Sequence, residues 1–162
     1  MSESTPAFPA NGRLAGIDYG TVRIGIAVSD PDWILASPLE NYDRKSDAAD
    51  LEFFKQLFVE EKIAGIVVGL PVHTDGQESQ KSVEAREFGK ALQGVSNLPV
   101  AFFDERYTSR MANEILATGG MTSKKKKKRL DMIAAQIMLS SFMESAKNRQ
   151  GPVSESNLDL AD

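Results

Sequence analysis

The chain has 162 residues, 41% hydrophobic and 26% charged, which suits one soluble domain with a packed core. It has no cysteine, which excludes a disulfide framework, a thiolate metal site and a cysteine nucleophile. Its single histidine excludes a site built on several imidazoles, and its net charge of −4 hides a middle region where 19 acids face all 19 bases. Residues 1–12 read as a disordered leader and residues 148–162 as a disordered acidic tail around a domain spanning 13–147. No apolar run approaches the ~20 residues of a membrane span and no signal peptide opens the sequence, so a cytoplasmic location is expected.

In chain order, Leu14–Asp18 is a short apolar strand closed by an acid, and Ile24–Val28 alternates large and small residues as a covered strand does. Trp33–Tyr42 reads as a third strand, and Pro38 confines it to a sheet edge. Short turn-rich links join these three as an antiparallel meander. Ser46 then caps a helix carrying Leu51, Phe54, Leu57 and Phe58, with Asp47, Asp50 and Glu52 near its positive end. A buried strand, Gly65–Leu70, stops at Pro71, and a helix follows from Ser79 to Gly94. Val100–Phe103 is a fifth strand, Thr108–Thr118 a short helix, and the last helix ends near Ala146 behind a basic loop. The order predicts an α/β fold, a mixed sheet with helices on both faces.

Acids stand at the ends of two strands, Asp18 on the first and Asp104 and Glu105 on the fifth. Asp131 interrupts the apolar start of the last helix. The carboxyl edge of such a sheet is where α/β proteins gather their sites. Carboxylates brought together there repel unless cations hold them, and oxygen-only ligands suit Mg²⁺ or Mn²⁺. Two such ions ~4 Å apart support phosphodiester hydrolysis. Each residue also has an ordinary explanation: strand-end acids serve as turn or cap residues, and Asp131 suits a helix start. The run Lys124, Lys125, Lys126, Lys127, Lys128 and Arg129 equally suits a solvated loop, and His73 a surface turn at Asp75-Gly76.

Four separated motifs carry a family resemblance across residues 13–146. They are Gly16 to Asp30 (GIDYGTVRIGIAVSD), Gly69-Leu70-Pro71 with Asp75-Gly76, Asp104 to Ser109 (DERYTS), and the basic run with Leu130 to Gln136 (LDMIAAQ). Together they resemble the YqgF/RuvX family of the RNase H-like superfamily, which comprises pre-16S rRNA nucleases and Holliday junction resolvases. Met132 and Tyr107 depart from that family's usual residues without touching a carboxylate. The resemblance implies an RNase H-like five-stranded sheet in the order 3-2-1-4-5 with strand 2 antiparallel. It also implies that Asp18, Glu105 and Asp131 bind metal and carry catalysis. Strand alternation says only that Asp104 and Glu105 face opposite ways, so the choice of Glu105 comes from the motif.

The expected function is a metal-dependent endonuclease of structured RNA, processing the 5′ end of pre-16S rRNA on a ribosomal precursor, with a two-metal type of mechanism. Arg23, Arg106 and Lys124–Arg129 are expected to contact phosphates, and Gly20, Thr21, Asp75 and Gly76 to offer backbone N–H groups. The alternatives are cleavage of branched four-way DNA, which uses the same chemistry, and a non-catalytic RNA-binding factor. An ATP-dependent kinase built on Asp18-Tyr19-Gly20 needs two lobes of such a fold, more than this length supplies. No membrane partner is expected, and oligomeric state is left open.

Overall fold

The computed structural model describes residues 7–71, 79–105 and 123–148, the last span without the side chains of 123–129, 131 and 148. Five strands form one sheet: β1 (Leu14–Asp18), β2 (Arg23–Ser29), β3 (Ala36–Asp43), β4 (Gly65–Leu70) and β5 (Val100–Asp104), in the order β3-β2-β1-β4-β5. β2 is antiparallel to β1 and β3, whereas β4 runs parallel to β1 and β5. This is the expected topology. Pro38 lies on edge strand β3, opposite Ala27 and beside a register shift, where its missing N–H breaks no inner ladder.

The third strand begins later than expected, at Ala36. Trp33 adopts φ 58°, and the Asp30 carboxylate accepts the N–H groups of Asp32, Ile34 and Leu35, so these residues form the turn. Of the segment expected as a disordered leader, the described residues 7–12 pack against the domain. Phe8 stacks edge-on to Trp33 and Phe142, and Gly12 accepts the Trp33 indole N–H at 2.8 Å.

Three helices are described: α1 (Asp47–Glu60), α2 (Gln80–Ser96) and α3 (Ser123–Asn148). Ser46 caps α1 by accepting the Ala49 N–H, and Ser79 caps α2 by accepting that of Ser82. α2 ends at Asn97 in the left-handed conformation, φ 60°. The residues of the expected helix 108–118 lie outside those described. The basic run, expected as a loop, has helical backbone and forms the first turns of α3. Lysine and arginine are good helix formers, and extending an existing helix adds one hydrogen bond per residue fixed.

The sheet divides the core. On one face α1 and α2 pack Phe54, Phe58, Phe88 and Leu92 against Ile17, Ile24, Ile26 and Val68. On the other, α3 packs Ala135, Met138, Leu139 and Phe142 against Leu14, Ala27, Val67 and Phe103. Each fully buried large side chain contributes roughly 1.5–3 kcal/mol. No helix among the described residues is long and apolar enough to cross a membrane.

Candidate active site at the carboxyl edge of the sheet

Asp18 closes β1, opposite Gly25 of β2. Alternation along β1 assigns its face: Ala15 and Ile17 belong to the α1/α2 core, Leu14 to the α3 core, and Gly16 touches α3. Asp18 therefore points toward the α3 side, and it is half-buried. Gly16 is what allows α3 so close. A β-carbon there would stand 2.9 Å from Leu139 Cβ and 3.3 Å from the Ala135 carbonyl oxygen.

Glu105 follows the last residue of β5, and its side chain lies over Gly69 of β4. A β-carbon on Gly69 would stand 2.5 Å from Glu105 Oε1 and 3.0 Å from its Cγ and Cδ. Gly69 follows Val68, which pairs with Ile17, so it is the β4 residue beside Asp18. Alternation after Ile66 and Val68 turns the Gly69 side-chain position toward α3 as well. Glu105 and Asp18 thus share one face, separated by a strand whose residue there has no side chain. Asp104 pairs in register with Leu70, is 6% exposed, and faces α1/α2. Alternation already separates Asp104 from Glu105, and the packing of β5, with Phe102 in the α1/α2 core and Phe103 in the α3 core, shows which of them faces α3.

Asp131 lies in α3, one turn before Ala135. Further along the helix, Phe142 meets Phe8 and Trp33 near the start of β1, so α3 runs back along that strand. Its earlier turns therefore lie toward the end bearing Asp18. The Asp131 side chain is outside the described residues, as are Arg106, His73, Asp75, Gly76 and the side chains of Lys124–Arg129. Among the described residues no three potential ligands form a metal cluster.

Arg23 opens β2 and alternates with Ile24 and Ile26, which places it on the α3 side too. Gly20 lies in the β1–β2 turn, where a β-carbon would collide with the Arg23 carbonyl oxygen, and Thr21 is exposed beside it. Only glycine fits this turn.

Sequence reasoning missed a second charged group close by. Asp50 of α1 is 1% exposed and accepts hydrogen bonds from Tyr42 Oη at 2.7 Å, the Lys45 amide at 2.9 Å and Arg44 Nε at 3.0 Å. Burial pushes its carboxyl up, but these three donors outweigh burial and hold it below the ordinary carboxylate value. Burial and the bond to Asp50 push Tyr42 up to about 12. A signal for it exists in the sequence: Asp50 precedes Phe54, Leu57 and Phe58 by 4, 7 and 8 residues, which puts it on the buried face of α1. An acid at such a position calls for a cation.

A half-open cleft of about 290 Å³ adjoins this group on the α1/α2 face. Its charged lining, Asp47, Glu84 and Glu87 against Arg44, disfavours a polyanion.

Comparison with known proteins agrees with the fold and adds the family. A protein of Rhodopirellula baltica named "Putative pre-16S rRNA nuclease" is 51% identical over 142 residues, 88% of this chain and 82% of that one. A protein of the same name from Koribacter versatilis is 39% identical, over 89% of this chain and 95% of its own. Among solved structures, the Thermus thermophilus RuvC in complex with Holliday junction substrate superposes with a TM-score of 0.56. It shares 13% identity and covers 88% of this chain and 99% of that one. The fowlpox virus resolvase bound to Holliday junction DNA gives 0.50, over 82% of this chain and 97% of its own. The RuvX family model, described as Holliday junction resolvase, matches residues 12–145, and the chain belongs to that family.

Proposed function

We propose that this protein is a metal-dependent endonuclease that cleaves structured RNA, its substrate being the 5′ extension of pre-16S rRNA. The observation that carries the reading is the pair of half-buried carboxylates on one face at the strand ends, Asp18 and Glu105, with Gly69 between them. Oxygen donors of this kind fit a hard divalent cation, Mg²⁺ or Mn²⁺, and residue 131 of α3 would complete the set. Such ions, when bound, promote ionisation of water and offset charge on the leaving oxygen in phosphodiester hydrolysis, two of them in the two-metal scheme.

The protein's own groups bind and orient. Arg23, on the acids' side of the sheet, and Arg106, directly after Glu105, neutralise phosphates flanking the scissile bond. The Gly20-Thr21 turn offers backbone N–H groups to the same strand, as does Asp75-Gly76. Lys124–Arg129 occupies the helical turns before Asp131 and binds phosphates there. Changing Lys124–Lys128 to Ser flattens the dependence of log K on log salt by roughly 0.7 for each phosphate no longer neutralised, read by filter binding at three salt concentrations. An unchanged slope removes the run from the interface. The setting is a ribosomal precursor particle in the cytoplasm.

Four-way DNA is the second reading, favoured by the description of the family model. Parallel digestion of a 5′-extended 16S precursor and a synthetic junction decides between them, with Asp18→Asn as control. Cleavage of the precursor by the wild type, and a drop of roughly a thousandfold or more in Asp18→Asn, is the expected result. Faster cleavage of the junction overturns the RNA assignment, and full activity in Asp18→Asn overturns the metal site.

A further inference from the structure

We infer that Arg44, anchored by Asp50, holds the β1–β2 turn and thereby aims the Asp18 carboxylate, which makes Arg44 and Tyr19 positioning residues for the metal-binding acids. The inference rests on the nuclease reading above for what Asp18 does, and on separate geometry for what Arg44 does.

Residues 19–22 connect Asp18 to the start of β2, and Arg44 touches three of the four. Its Nη1 donates to Tyr19 Oη at 2.8 Å and to the Gly20 carbonyl at 3.4 Å, and its backbone N–H donates to the Val22 carbonyl at 2.9 Å. Nε of the same guanidinium is held by Asp50 at 3.0 Å, and Nη2 reaches Asp47 at 3.3 Å. The guanidinium carbon also lies 5.1 Å from the centre of the Tyr19 ring and 5.6 Å from that of Phe88. Those two rings are themselves 5.4 Å apart. A planar, five-donor group fixed on so many sides has little freedom to rotate.

The anchor is equally constrained. Asp50 is buried and accepts from the Tyr42 hydroxyl and the Lys45 amide as well as from Arg44. Stability alone is a poor reason for this arrangement, because a buried ion pair is often matched by apolar residues of similar volume. α1 does not need it as a cap, since Ser46 already serves. Two of the Arg44 hydrogen bonds go instead to the residues directly after Asp18. Tyr19 points into the α1/α2 face and Asp18 toward α3, so fixing the Tyr19 hydroxyl fixes the rotation of the last strand residues, and with it the direction of Asp18. Positioning of this kind matters because ligand groups act only within about 0.5 Å of the productive geometry.

Two variants of the full chain test the inference. Arg44→Lys keeps a cation opposite Asp50 but removes the fork that reaches Tyr19 and Gly20. Tyr19→Phe removes one oxygen from a ring that stays packed on Phe88, and it carries the test alone if Arg44→Lys does not fold. The readouts are Mn²⁺ binding without RNA, followed by electron paramagnetic resonance, hydrogen exchange of amides 20–23, and the split between kcat and KM for RNA cleavage. Arg44→Lys is expected to weaken Mn²⁺ roughly tenfold, with faster exchange in the turn, lower kcat and unchanged KM; Tyr19→Phe shifts each in the same direction by less. Wild-type Mn²⁺ affinity and wild-type turn exchange in both variants overturn the inference. Asp18→Asn separates the two readings. If it binds Mn²⁺ as the wild type does, the metal assignment falls, and the hold on the turn stands or falls on the exchange rates.

Discussion

The two faces of the sheet use their volume differently around their acids. On the α1/α2 face the buried Asp50 is answered within the protein, by Arg44, Tyr42 and the Lys45 amide. The surroundings are large and aromatic, with Phe53, Phe54, Phe58 and Phe88 in mutual ring contact or linked through Tyr42. On the α3 face the strand-end carboxylates lie where glycines leave out side chains. Gly16 lets the helix in, and Gly69 leaves room for Glu105. One face fills its volume with rings around a charge, and the other fills the volume its glycines leave with a helix and with the Glu105 side chain. The Asp50 cluster is a structural ion group, and the proposed cation site lies on the other face of the sheet.

Breaking the internally neutralised side should give the largest drop in stability. Asp50→Asn leaves the guanidinium of Arg44 without its buried counter-charge and is expected to cost about 3 kcal/mol, measured by urea unfolding. A drop under about 1 kcal/mol would show that Asp50 is no more structural than a surface acid.

The two glycines sharpen the contrast, because the same added methyl group meets different neighbours. At Gly69 it meets the end of the flexible Glu105 side chain, which can swing away. Gly69→Ala should therefore change stability little yet lower cleavage roughly a hundredfold, since a shift of about 1 Å in a ligand group is enough. At Gly16 it meets Leu139 Cβ and the Ala135 backbone, which give way only if α3 moves. Gly16→Ala should destabilise by about 1–3 kcal/mol, seen as a lower Tm. Equal effects of the two changes on Tm would erase the distinction between the roles of these glycines.

A pH window tests the Asp50 cluster from another side. Folding raises the Tyr42 pKa to about 12 from an ordinary 10.0, so the folded state holds that proton more tightly than the unfolded chain. Its contribution is complete below pH 10.0 and is lost as pH rises toward about 12. Asp50 runs the other way: its contribution is present above the ordinary 3.8 and is lost as pH falls below that value. Denaturant unfolding across the alkaline window should show the first decline in the wild type and none of it in Tyr42→Phe.

Much of this is legible in the sequence, for identifiable reasons. Pro38 marks an edge strand because a residue without an N–H suits few places in a ladder. Ser46 and Ser79 mark helix starts because the orphan amides of a first turn need an acceptor. Three features depend on tertiary structure instead. Sequence pattern starts β3 too early, since Trp33 has strand propensity and only the Asp30 side chain, by accepting three amides, turns it into part of a loop. Asp50 reads as an acid favoured by the helix dipole, although its position on the apolar face points inward; its partner, Arg44, lies outside the helix. Lys124–Arg129 resembles a loop because like charges repel, yet their backbone continues α3, whose apolar stripe begins at Leu130. For the acids, alternation separates Asp104 from Glu105, and the packing of β5 shows which of them faces α3.

The close approach of α3 to Gly16 has a mechanical consequence. Everything before Ala135 in that helix inherits its rotational phase from the contact between Ala135, Leu139 and Gly16. One residue inserted or deleted between positions 131 and 135 would turn the preceding segment by about 100° around the helix axis and shift it by about 1.5 Å. Asp131 and the basic run would then be displaced as a unit, with the Gly16 contact itself intact. The four-residue interval from 131 to 135 therefore behaves as a gear tooth: its length can change only by whole turns, and only by moving the acid through a full pitch.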